Sequence, residues 1–269
     1  GRSSAEALLA ASFESLLFGR VVSEDLVACP PDSLSAIAAS AFDRFVRRRP
    51  GEVDVRLVDV TLADGRAITI VETVNDDMPF LLDSTLAELG ERGLDIHLVA
   101  HPILAVKRDA KGALVALQGI AGAAETGDFL RESLIHIHVG AVLDAGQRAG
   151  IVAALERIHQ DVHAAVRDWR AMRERLAAVA RRYREAPPLL PADEIAEAVQ
   201  FLDWLLAENF TFLGLREYRF PSLDDASEPV AGEGLGILAD PEVKVLRRGA
   251  EMVVMTAEVR AFLKEKSAL

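Results

Sequence analysis

Over the first fifty residues apolar positions recur at helical spacing. Leu8, Leu9, Phe13, Leu16 and Leu17 share one face within residues 4–19, and Asp32-Ser33 opens a second helix carrying Leu34, Ile37, Ala41, Phe42 and Phe45. The second helix ends at Arg47-Arg48-Arg49-Pro50-Gly51, where positive charge complements a helix C-terminus. From Val53 the period changes to two. Residues 53–62 and 67–74 alternate as strands joined by Ala63-Asp64-Gly65-Arg66, a hairpin composition. An amphipathic helix follows through Leu82, Leu86 and Leu89, with Pro79 suited to its first turn and Gly93 to its stop. Residues 94–107 read as one long strand, 108–112 as a turn, 113–117 as a returning strand, and 133–139 as a strand with one face covered.

Ile151, Leu155, Ile158, Val162, Ala165, Trp169, Met172 and Leu176 then keep a four-three alternation that persists to Pro187-Pro188. They predict a helix over residues 147–185, on the order of 60 Å long at 1.5 Å per residue. Its second half either packs on the leader helices or forms a self-association seam through Met172 and Leu176. A further helix, capped by Asp193, carries Ile195, Val199 and Leu202, and 210–218 reads as a strand. An acidic loop over 221–233, a short strand near 252–255 and a helix from Thr256 complete the chain. The predicted class is α+β with an antiparallel sheet. Its parts are a helical leader over 1–50, an α/β domain with the long helix over 51–186, and a helix-strand segment over 187–269 that begins the next module.

The charge balance of 30 Lys and Arg against 42 Asp and Glu, net −12, disfavours nucleic acid and anionic membrane faces as partners. No run of about eighteen apolar residues is present, so no bilayer span is expected. The single Cys29 fits a reducing compartment, and a cytoplasmic location is expected. The start Gly1-Arg2-Ser3-Ser4 has neither an initiator Met nor a secretory pattern, which suggests a piece cut from a longer chain.

The segment Asn75-Asp76-Asp77-Met78-Pro79-Phe80 joins a strand to a helix, the place where α/β folds position ligands. Its bland reading is a connection whose aspartates cap and solvate the helix start. The histidines raise a metal reading. His159 and His163 stand one helical turn apart, but Gln160 occupies the place of a general base. His136 with His138, and His97 with His101, each share a strand face. No third and fourth ligand accompanies any pair, so no metal is predicted. Gly232-Glu233-Gly234-Leu235-Gly236 lacks the strand before and helix after that a dinucleotide turn requires, and reads as a turn. No serine elbow is present. Catalytic and cofactor-binding residues are therefore expected to be absent. The rival readings are a self-contained metal-dependent enzyme built on His159 and His163, and a purely structural oligomerisation module.

Four phrases carry a resemblance: residues 75–84, His101-Pro102-Ile103-Leu104, residues 161–172 around Asp168-Trp169-Arg170, and Asn209-Phe210-Thr211-Phe212-Leu213-Gly214 with its continuation to Tyr218. With Gly234-Leu235-Gly236-Ile237-Leu238 they resemble, in order, the N-terminal region of the large-subunit bacterial NAD-specific glutamate dehydrogenases. The resemblance implies an oxidoreductase of amino-acid catabolism that converts L-glutamate to 2-oxoglutarate and ammonium with NAD. The catalytic domain would lie downstream, and this segment would be regulatory and inactive alone. It implies an ACT-like βαββαβ antiparallel sheet with helices on one face, with 211–220 as a closing strand. The implied partners are downstream domains of the same chain and further copies in a homo-oligomer. Ligand-binding ACT turns carry glycine after the proline, where this chain has Phe80. An amino-acid effector is therefore not expected to bind, and Phe80 is expected to serve as a core or interface anchor.

Overall fold

A computed structural model describes residues 4–49, 51–122, 127–188, 190–219, 230–243, 246–247, 250–251 and 261. They form two compact units, 1–160 and 161–269.

The first unit opens with α1 (Ser4–Phe18), α2 (Ser23–Val27) and α3 (Pro31–Phe45). Five residues make up α2, too few for periodicity to reveal it. A hairpin follows, β1 (Asp54–Thr61) and β2 (Ala67–Asp76), turning at Gly65 with φ 87°. Helix α4 (Leu81–Glu91) ends as its sequence predicts: Gly93 has φ 69°, and Leu94 N–H donates to the Leu89 carbonyl at 3.1 Å, a Schellman closure. Strands β3 (Ile96–Ala100), β4 (Ile103–Arg108), β5 (Leu114–Ile120) and β6 (Leu130–Gly140) complete an antiparallel sheet of order β1-β2-β6-β4-β5.

The long strand expected over 94–107 is broken. Its halves β3 and β4 both pair with β6, and His101-Pro102 interrupts them. Pro102 has no N–H for the ladder, yet its carbonyl accepts from Leu134 N–H at 3.1 Å. The apolar run continues across the break, so hydropathy alone joins the two halves.

Strand alternation sorts the side chains of β2 and β6 onto two faces. Ile68, Ile70, Val74 and Leu134 join Phe13, Phe42 and other leader residues in one core, where the Phe13 and Phe42 rings meet edge-on at 5.2 Å. The opposite face carries Val71, Ile135, Ile137 and Val139, all buried, with α4 and the first part of α5 (Ala145–Glu185) set against it. The fold is thus α+β and ACT-like. The leader occupies the sheet face that the ACT-type helices leave.

Helix α5 has 41 residues and continues from the first unit into the second. Asp144 caps it, its Oδ1 accepting from Gln147 N–H at 2.6 Å. Met172 is completely buried, so it is not exposed for a seam, and substituting it would test folding before association. Trp169 is exposed and has the Arg173 guanidinium 4.8 Å from its ring.

In the second unit α6 (Ala192–Trp204) has Pro191 at its cap, with Asp193 in the first turn rather than capping. Strand β7 (Gly214–Arg219) pairs with β8 (Val230–Gly236) in a two-stranded ribbon. It therefore does not close the main sheet as the 211–220 segment was expected to do. The glycine run 232–236, expected to be a turn, lies wholly in β8, where a Cβ at Gly234 would fall 1.7 Å from the Leu238 carbonyl oxygen. Gly236 N–H donates to Asp168 at 2.9 Å, joining two of the phrases that carry the resemblance. The elements expected at 252–255 and from Thr256 lie outside the described residues, as does 221–229 of the acidic loop. Among the described residues no helix is long and apolar enough to cross a membrane.

Candidate functional site

The turn leaves β2 with three polar residues that bind three different elements. Asn75 is fully buried on the α4/α5 face, its Nδ2 3.1 Å from His159 Nδ1 on α5. Thr85 donates its hydroxyl hydrogen to the Leu81 carbonyl at 2.7 Å, so across the 2.8 Å contact of Thr85 Oγ1 with His159 Nε2 the imidazole must donate. That assigns the Nε2–H tautomer and leaves Nδ1 to accept from the Asn75 amide. Asn75 Oδ1 is buried without a hydrogen-bond partner among the described residues. An unmet group of this kind costs about 1–3 kcal/mol.

Asp76 faces the leader side and accepts from Arg48 Nη2 at 2.8 Å. The Arg48 guanidinium is wholly buried, and its Nη1 donates to Glu132 at 2.7 Å. Glu132, also wholly buried, is gripped on both oxygens by Arg108 Nε and Nη2 at 2.7 Å each. Arg108 also donates to the carbonyls of Phe45 at 2.8 Å and Val46 at 3.2 Å, placing a cation on the C-terminal end of α3. Asp77 returns to the opposite face. Its N–H donates to the Arg131 carbonyl and its carboxylate accepts from Arg131 Nε, each at 2.9 Å.

Met78 is half-buried and Pro79 exposed. Phe80 occupies the N-cap of α4 with φ 73° and ψ −5°, and no side chain caps this helix. The helix therefore begins after Pro79, which does not take the first-turn place its sequence suggests. The two aspartates hold arginines instead of capping the helix. The Phe80 ring is 47% exposed, which corrects the expectation of a core anchor. Left-handed geometry costs a side-chain-bearing residue about 1–2 kcal/mol and suits glycine. The turn thus keeps a glycine backbone shape under a phenylalanine.

His101 has its Nε2 2.8 Å from Ser133 Oγ, with a pKa lowered by burial against the opposing charges of Asp77 and Asp83. His97 lines a separate small cavity with Cys29 and His138, so it does not act with His101 as a pair. Burial raises the Cys29 thiol pKa, which suits an inert apolar role. On the leader face His136 Nδ1 donates to Glu72 at 2.9 Å, and its Nε2 lies 3.0 Å from His138 Nε2. Arg56 binds the other Glu72 oxygen. Burial alone would raise the Glu72 pKa, but the His136 hydrogen bond and charge, with Arg56, bring it below the ordinary value. Burial pushes His138 down to about 3. The described residues include no group of three or more His, Cys, Asp or Glu placed to hold a metal ion. An open cleft of about 570 Å³ lies along α3 and β1, lined by Asp43, Arg44, Asp54 and Arg56 among others and by none of the turn residues. Its charges are largely internal pairs, Arg44 with Asp54 and Arg56 with Glu72.

In the sequence Arg48 reads as one of three arginines complementing a helix C-terminus, and Arg108, Arg131 and Glu132 carry no local signal of a site role. The available signal was register. Glu132 falls between Leu130 and Leu134, and Glu72 between Ile70 and Val74, so each is a charge at a core position that requires a counter-charge.

Residues 13–155, which contain the turn and every residue that grips it except His159, match the family model of the glutamate dehydrogenase ACT1 domain. The chain belongs to this family. The ACT1 match begins in α1 and ends in α5, so it includes most of the leader as well as the sheet. The chain is similar to the NAD-specific glutamate dehydrogenase of Halomonas elongata, 33% identical over 213 residues, which are 77% of this chain and 13% of that protein. It is likewise 31% identical to the enzyme of the same name from Pseudomonas aeruginosa over 210 residues, 78% of this chain and 12% of the relative. It spans about an eighth of the length of these curated relatives.

Proposed function

We propose that this ACT1 segment is a non-catalytic, regulatory and assembly part of an NAD-specific glutamate dehydrogenase. The whole protein would oxidise L-glutamate with NAD and water to 2-oxoglutarate, ammonium and NADH. The observation that carries the reading is Phe80, held in a glycine-like conformation with its ring half-exposed at the mouth of the turn. Asn75, Asp76 and Asp77 are committed to His159, Arg48 and Arg131, so the turn offers a contact surface to neighbouring domains more readily than an open cradle to an amino acid. Its partners are other domains of the same chain and further copies, and NAD belongs to the catalytic part.

The purified chain is expected to form no NADH from L-glutamate and NAD. Calorimetry is expected to detect no saturable binding of glutamate, 2-oxoglutarate or common amino acids at millimolar concentration. Turnover free of host enzyme would overturn the non-catalytic reading. Saturable binding abolished by Asp77→Ala would replace the contact-surface reading with an effector site.

A further inference from the structure

We propose that the leader helices set the conformation of the turn at residues 75–80, with Arg48 as the positioning residue that carries the coupling through Asp76. The contacts that carry this coupling lie within residues 4–160 and are independent of the dehydrogenase reading.

Three observations support it. First, one planar guanidinium bridges the two carboxylates: Arg48, just after α3, holds Glu132 on β6 at 2.7 Å and Asp76 at the end of β2 at 2.8 Å. Second, these two carboxylates are held to different degrees. Glu132 is wholly buried and fixed on both oxygens by Arg108, which also binds the carbonyls at the end of α3. Asp76 is 43% exposed and is the looser member of the network. Third, Asp76 is four residues from Phe80, whose left-handed backbone has no capping side chain to hold it. Arg48 Nε has no partner among the described residues, and without Asp76 its Nη2 keeps only the Glu52 carbonyl at 3.4 Å, while Nη1 shares Glu132 with Arg108.

Without Asp76 the buried guanidinium groups of Arg48 and Arg108 share the single carboxylate of Glu132, so one positive charge is under-compensated. Freeing Asp76 therefore weakens the seat of the α3 end, and displacing the leader frees the turn, because coupling between two sites is reciprocal. A domain or ligand that takes the exposed side of the Asp76 carboxylate competes with Arg48 and loosens the leader. Asp77 serves as an internal control, because its partner Arg131 lies on the opposite face and donates to Asp77 and to the Gly122 carbonyl, neither of them in the leader.

The test is amide hydrogen exchange on the 269-residue chain. Asp76→Asn preserves size and alters a half-exposed side chain, so the fold should persist, which protection of the β2 and β6 amides at 70–74 and 135–139 checks. The expected result is exchange about tenfold faster at residues 44–49, the signature of an easier local opening. Asp77→Asn should leave those amides unchanged, and Asp76→Glu should restore most of the protection. Unchanged exchange at 44–49 in Asp76→Asn, or equal acceleration by Asp77→Asn, would overturn the coupling.

Discussion

On the leader face of the sheet, Arg56, Glu72, His136 and His138 form one buried chain of ionisable groups, while Arg48, Glu132 and Arg108 form another. On the opposite face, away from its rim, Asn75, Thr85 and His159 meet through an amide, a hydroxyl and a neutral imidazole tautomer. Both faces bury polar atoms. The difference lies in what each does when one partner is lost: a neutral network loses a hydrogen bond or two, whereas a buried charge becomes uncompensated. The leader therefore docks through an apolar core in which buried charge pairs fix the register, whereas the packing of α4 and α5 encloses a neutral polar centre.

The largest effect expected from this contrast is at Glu132. Glu132→Gln leaves Arg48 and Arg108 sharing no carboxylate and should lower stability by about 3–5 kcal/mol in urea denaturation. His159→Leu, which removes the neutral centre, should cost about 1–3 kcal/mol. Equal losses for the two variants would remove the distinction between the faces.

Acid provides a second probe. His138 has its pKa depressed from 6.5 to about 3, so the folded state resists a proton that the unfolded chain accepts. Its contribution is complete above the unfolded pKa and declines as pH falls from about 6.5 toward 3. At 1.36 kcal/mol per unit, roughly 2 kcal/mol should be lost between pH 6.5 and pH 5. His138→Gln should flatten that decline, and His101→Gln, with a smaller shift in the same direction, should flatten it less. Glu72, with a lowered pKa, adds a further loss only at lower pH, as the solution passes through its folded pKa. If His101→Gln removes more of the slope than His138→Gln, the acid-sensitive face has been misassigned.

The smallest effect is expected at Phe80. With a half-exposed ring and φ 73°, Phe80→Gly should change stability by less than about 1 kcal/mol, because relief of left-handed strain offsets the entropy of glycine. A loss of several kcal/mol would mean that the ring is an anchor within the fold.

How much of this was legible in the sequence depended on range. The Gly65 hairpin, the Gly93 stop and the alternation of β2 and β6 are local, and the residues at those positions dictate them. Arg48 reads as positive charge on a helix end because its partners lie 28 and 84 residues away, beyond the reach of periodicity. The break at His101-Pro102 was hidden because apolar residues continue on both sides of it. That residues 75–80 lead from a strand to a helix was legible. The backbone of the turn was not, since nothing in a phenylalanine signals positive φ, and its chemistry was not, since the arginines that hold Asp76 and Asp77 come from other elements. The second unit was harder still: β7 finds its partner β8 beyond the acidic segment, and the main sheet was already complete without it.

The alternation that sends Asn75 and Asp77 one way and Asp76 the other has a consequence for insertions and deletions. Adding or removing a single residue within β2 would turn Asn75 toward Arg48 and drive a carboxylate toward His159 in the neutral core. The turn Asp109–Gly112 between β4 and β5 is tied to the same network: Gly112 is buried, a Cβ there would fall 3.0 Å from the Arg48 carbonyl oxygen, and its own carbonyl accepts from Arg108 at 2.9 Å. The number of residues in this one strand thus decides which network each polar side chain at its end joins.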